Sequence, residues 1–167
     1  MKLLTLFFCL LLSQITIAQS IDLEQLEGKW YINMTNFPMW IKGDKTNPTF
    51  NYTISNCGKI VGLRDEVQYL KNGKTKNIVG FDKPENDKKS KFIWRGKGVL
   101  RLLKSEWEII YFDSEKEIIV LKFEKTLFTP AGYDVISRKP NLLESDIEYF
   151  KTFELLKVNS PLDVLEH

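Results

Sequence analysis

From about residue 30 to residue 138 the chain alternates apolar and polar side chains with a period of two. That is the period of a half-buried strand and not of a helix. The first such run is Lys29 to Phe37, and Thr49 to Ser55 follows with Phe50, Tyr52 and Ile54 on one face. Asn56-Cys57-Gly58-Lys59 reads as a turn, after which Val61, Leu63, Val67 and Tyr69 share one parity. Lys71-Asn72-Gly73-Lys74 carries the Asn-Gly pair that suits a tight hairpin. Thr75 to Phe81 is the next strand, and the polar run Asp82 to Ser90 reads as a solvated loop. Phe92 to Trp94 opens a fifth strand that bends at Gly96 and Gly98 and continues over Val99 to Leu103. Glu106 to Phe112, Ile118 to Phe123 and Ala131 to Ser137 complete the set. Eight short strands joined by tight turns cannot form a parallel sheet, which needs long crossovers. The expectation is an all-β, eight-stranded antiparallel up-and-down β-barrel, closed so that no edge is left open.

Two segments lie outside that alternation. Met1-Lys2, the apolar run Leu3 to Leu12 and the small, polar exit ending Ala18-Gln19 have the order of a signal peptide. Residues 1–19 are therefore expected to be cleaved after Ala18 or Gln19, and 20–167 to form a single domain that is secreted or periplasmic. The run is too short to span a bilayer, so no stable membrane insertion is expected. Cys9 lacks the small-residue box of a lipid-anchored cysteine. Beyond the barrel, Ser145 and Glu148 have capping-box spacing, and Tyr149, Phe150, Phe153 and Leu156 form one helical stripe, with Lys151, Glu154 and Lys157 elsewhere. That stripe is expected to pack outside the barrel.

Composition narrows the chemistry. With 24 basic and 22 acidic residues in 167, there is no electrostatic case for nucleic acid. His167 is the lone histidine, which leaves neither a zinc site nor a Ser-His-Asp triad. Cys57 sits at a hairpin without a base beside it, and the carboxylates read as turn and outward-facing groups. No metal, cofactor or catalytic residue is expected. Asn33 and Asn51 match glycosylation acceptors. The aromatic content, 11 Phe, 6 Tyr and 4 Trp, suits a protein that lines a space.

Four stretches, in order, resemble the lipocalin family within the calycins, with a flavour of its bacterial and apolipoprotein-D-like members. Leu23 to Tyr31 matches the Gly-x-Trp-Tyr entry after a short helical turn. Asn51-Tyr52-Thr53-Ile54 resembles the second strand, Asn77-Ile78-Val79-Gly80 the small-residue position of the fourth, and Ser137-Arg138-Lys139-Pro140 the exit before the C-terminal helix. The motif between the sixth and seventh strands is reduced to Asp113. The resemblance implies that Gly28, Trp30 and Arg138 form a structural knot, with an arginine lying over a tryptophan that plugs the closed end. It also implies a lid in the first loop, where Trp40 and Ile41 would cover the mouth; Lys42 reads as surface charge, with contact to an anionic headgroup as the alternative.

Barrel and parity together point to an exported carrier of a small hydrophobic ligand, such as a fatty acid, lysolipid or apocarotenoid-like molecule. Tyr52, Tyr69, Trp94, Trp107, Ile109, Tyr111, Leu121 and Trp40 are the expected ligand-binding wall. The protein is expected to be a monomer or weak dimer and not an enzyme. The rival readings are a non-catalytic interaction or envelope-stress protein with a filled barrel, and a lipid-modifying enzyme on the same scaffold.

Overall fold

A computed structural model describes residues 20–153 and 161–167. The signal-like segment 1–19 and the stripe residues Glu154, Leu156 and Lys157 lie outside the described residues. A short helix α1 (Leu23–Leu26) leads into β1 (Gly28–Thr35). A second, α2 (Pro38–Ile41), separates β1 from β2 (Thr46–Cys57). Then come β3 (Ile60–Lys71), β4 (Lys74–Pro84), β5 (Lys91–Gly96), β6 (Lys104–Asp113), β7 (Ile118–Phe123) and β8 (Gly132–Ser137). Helix α3 (Glu144–Thr152) and a two-residue strand β9 (Asp163–Val164) finish the described chain.

Each of β2 to β8 pairs antiparallel with its sequence neighbour, and β1 pairs with both β8 and β2. The barrel is therefore closed, with eight strands and up-and-down order, as the alternation requires. Strand β9 adds to the outer end of β1 at Met34 and Thr35. The hairpin at Asn72-Gly73 has positive φ at both residues, 52° and 68°, as a tight two-residue turn demands.

Two apolar clusters result. One fills the barrel from Trp30 and Ile32 through Phe50, Leu63, Val67, Phe92 and Ile109 to Ile119, Leu121 and Ile136. The other lies outside, where Phe150 of α3 packs on Met34, Ile118, Val120 and Val135. The C-terminal helix is thus docked on the barrel wall.

Four local expectations are corrected. Asp82 is not in a loop: β4 runs on to Pro84, and Asp82 pairs with Trp94 of β5. Val99 to Leu103 is not strand, because Gly98 takes φ +63° and starts a single 3-10 turn. Val99 and Leu102 consequently project into solvent. Helix α3 begins after Leu143, so Ser145 lies inside it and caps nothing. The reciprocal contact appears instead at α1, where the Asp22 N–H donates to Gln25 Oε1 at 3.0 Å. Cys57 is the last residue of β2, exposed and unpaired, and only Gly58-Lys59 turn.

Candidate functional site: a one-mouthed calyx

The closed end is built on Trp30. Its indole is buried and donates to the Leu26 carbonyl at 2.7 Å, which ties α1 beneath the barrel. The Arg138 guanidinium lies 3.8 Å above the ring. It also donates to the carbonyls of Lys29 (2.9 Å), Gln25 (3.1 Å) and Glu27 (2.7 Å). Gly28 takes φ +99°, and a Cβ there would stand 3.1 Å from Arg138 Nη1, so both conformation and space call for glycine. This is the knot expected of Gly28, Trp30 and Arg138.

At the other end the barrel opens into a cavity of about 1100 Å³. That figure takes in the mouth and part of the outer wall over β5–β7 as well as the interior, since outward residues such as Glu108 and Lys122 border it. The inner wall is aromatic. Phe92 and Trp107 stack with centroids 4.2 Å apart, Phe50 stacks on Tyr52 at 5.7 Å, and Tyr52 faces Trp107 at 6.2 Å. Helix α2 contributes Met39 and Trp40 at the mouth. Trp40 is buried and sits edge-on to Tyr69 at 5.6 Å, with the Lys45 ammonium over both rings. Leu102, Leu127 and Phe128 form an exposed apolar rim.

The eight residues of the expected wall fall in three places. Trp40, Tyr52, Trp94 and Trp107 line the cavity, and Ile109 and Leu121 are buried deeper in the same core. Tyr69 supports Trp40 from behind without lining the cavity. Tyr111 is misplaced by the parity reading: it lies outside, against Phe150 (5.6 Å) and Phe153 (5.7 Å). The cause is a bulge between Ile109 and Tyr111, where one extra residue exchanges the two faces. Ile41 and Lys42 also turn to solvent, so the lid is Trp40 with Met39. The Asn33 amide is buried and donates to the Lys139 and Pro140 carbonyls, which removes it as a glycosylation acceptor in the folded chain.

The sequence reading placed all carboxylates outside; the structure buries three inside. Asp65 (4% exposed), Asp82 (0%) and Asp134 (1%) belong to β3, β4 and β8. Asp82 Oδ1 accepts from Trp107 Nε1 at 2.7 Å, and Asp134 Oδ1 from Thr35 Oγ1 at 2.6 Å. Asp65 Oδ1 and Asp82 Oδ2 have no partner. Burial raises all three carboxyls because the charged form loses its water. Asp82 and Asp134 are each pushed up to about 7. Asp65 rises well above the carboxylate range through burial and the neighbouring Asp82, opposed by the Trp94 indole. The Tyr52 phenol is raised by burial and then by these same three acids.

Parity held the signal for two of them. Asp65 falls between Leu63 and Val67, and Asp134 two residues before Ile136, so both share the inward face. Gly80 has its own reason: a Cβ there would collide with the Trp94 indole, so glycine lets Trp94 lie flat inside the wall.

An eight-stranded calyx, plugged by a Trp–Arg knot, lidded by a short helix and flanked by a C-terminal helix, is the lipocalin fold. Solved structures bear this out. Insecticyanin from the tobacco hornworm Manduca sexta aligns at TM-score 0.67 and 16% identity, over 89% of this chain and 82% of that one. The siderocalin Ex-FABP, described as working through dual ligand specificities, aligns at 0.63 and 15%, over 86% and 95%. The cockroach allergen Per a 4 aligns at 0.64 and 12%, over 89% of both chains. No protein-family model and no curated protein matches the sequence.

Proposed function

We propose that the protein binds and carries one small hydrophobic molecule inside the calyx. The observation that carries this is the aromatic inner wall, where Phe50, Tyr52, Phe92, Trp94 and Trp107 border a cavity whose mouth is covered by Trp40. Typical ligand pockets span about 300–1,000 Å³ and are mostly apolar with a few placed polar groups. Inner-wall residues Tyr52, Asp65, Val67 and Trp94 border open space, which favours this over a purely surface-acting module. Turnover is weaker still. Cys57 is exposed at the β2–β3 hairpin, and among the described residues no buried histidine or cysteine accompanies the three acids, while the Thr35 hydroxyl donates to Asp134.

Of the ligand classes named above, a lysolipid or apocarotenoid-like body fits the apolar wall. A free fatty acid would bring its carboxylate towards Asp65 and Asp134, which line the same cavity. Export through the segment 1–19 belongs to the same proposal, and the mass of the mature chain tests it by showing a cut after Ala18 or Gln19. The binding test is quenching of tryptophan fluorescence by a panel of retinoids and long-chain alcohols, since Trp40, Trp94 and Trp107 border the cavity. Saturable quenching at one molecule per chain is expected. Flat titrations across the panel, with the barrel folded by circular dichroism, count against it.

A further inference from the structure

Beyond its apolar wall, the calyx has a charge pattern that selects among apolar ligands. Among the described residues, the buried polar and charged set contains three acids inside the barrel and no lysine, arginine or histidine. Asp65 and Asp134 border the cavity, and Asp65 Oδ1 is 96% buried as part of its residue yet accepts from nothing. A buried carboxylate oxygen without a donor is costly, and a ligand that supplies the missing donor and charge removes that cost. The surrounding rings Phe50, Tyr52, Phe92 and Trp107 stack on one another and supply an apolar wall for the body of such a ligand. Among the described residues no three acid, histidine or cysteine side chains converge to hold a metal ion. The pattern suits an organic cation that can also donate hydrogen bonds.

We infer that the calyx selects an amphiphile bearing a protonated amine, its ammonium in the field of Asp65 and Asp134 and its apolar body along Phe50, Trp94 and Trp107. This rests on the calyx being the binding site. Around the ammonium stand Asp65 on β3, Asp134 on β8 and the Tyr52 phenol on β2, with Asp82 on β4 behind them; the basic groups, Lys45 over Trp40 and Tyr69 and Lys91, Lys104, Lys122 and Lys125, lie at the mouth and outer border. Arg64 and Glu66 flank Asp65 but pair with each other at 2.7 Å on the outer face. With an ammonium present, a proton held in the acid set is released to solvent, so amine affinity rises with pH while the amine itself stays protonated.

The experiment is isothermal titration of the mature protein with decylamine, decanol and decanoate, each below its micelle threshold. Decylamine is expected to bind at least about tenfold tighter than either at about pH 8, since a buried charge pair contributes that much or more. That preference is expected to shrink towards about pH 5. Asp65→Asn and Asp134→Asn are each expected to abolish the preference while leaving decanol affinity within about threefold. Because a misfolded variant would lose decanol too, a second readout uses the wild-type chain. At about pH 6.5, decylamine binding must release protons, seen as a heat that varies with the ionisation enthalpy of the buffer. Equal or tighter binding of decanoate or decanol, an amine preference that survives both substitutions, or no proton release overturns this inference alone. Failure of all three probes to bind overturns the calyx reading and this inference with it.

Discussion

Arg138 shows how much one side chain can hold. It stacks on Trp30 at 3.8 Å and gives hydrogen bonds to three carbonyls of the α1–β1 entry. Arg138→Met keeps the stem but loses the fork. The expected cost is about 2–4 kcal/mol, from charged hydrogen bonds and the cation–π contact, read as a lower urea midpoint with an unchanged slope. Arg138→Lys, which keeps the charge without the planar fork, is expected to fall between the two. The interior acids set the pH dependence. Asp82 and Asp134 titrate near 7 in the folded chain against an ordinary 3.8, so the native state binds more protons between those values. Stability from these groups is whole below about pH 4 and is lost as pH rises through 7. Glu66, whose carboxyl is held below its usual range by Arg64, works in the opposite sense at the acid end. The melting temperature is therefore expected to fall from about pH 5 to about pH 8. Asp134→Asn, which keeps the acceptor for Thr35, should flatten that slope and be the more stable form at the higher pH.

At the scale of elements, legibility followed the backbone hydrogen bonds. The Asn72-Gly73 turn and the eight strands were readable because period and turn chemistry agree locally. Within β6 the inward face was readable only as far as its bulge. Beyond Ile109 the extra residue sends Tyr111 outward and Phe112 inward, and nothing in the residue types marks that slip. Asp82 was lost for another reason. Its charge and the polar run after it look like a loop, yet pairing with Trp94 carries β4 past it. Helix α3 gives the test at this scale. Phe150 is buried against Met34, Val120 and Val135, whereas Tyr149 on the same helix is nearly half exposed. Phe150→Ala is expected to cost about 3–5 kcal/mol by thermal or urea unfolding. Lys116→Ala, which breaks the 2.6 Å link from the β6–β7 turn to Asp146, is expected to cost under about 1 kcal/mol because the lysine is exposed.

For the whole molecule, the two ends of the barrel divide the work. The Trp30–Arg138 knot fixes one end, and the groups that would meet a ligand lie above it under a mouth rimmed by Leu102, Leu127 and Phe128. If binding is interior, filling the interior must abolish it without touching the knot. Val67 is the place to do so, being buried, on the cavity wall and in a strand, where an aromatic side chain is favoured. Val67→Trp is expected to weaken decanol and decylamine at least about tenfold, with the barrel's circular dichroism retained. Tyr149→Ala, beside Tyr111 where α3 meets the barrel wall, should leave both affinities within about twofold, which is the scatter expected of a change far from the interior. The pair separates the two geometries open to an apolar ligand on this chain. An interior site predicts loss at Val67 and indifference at Tyr149, and a groove between α3 and the barrel wall predicts the reverse.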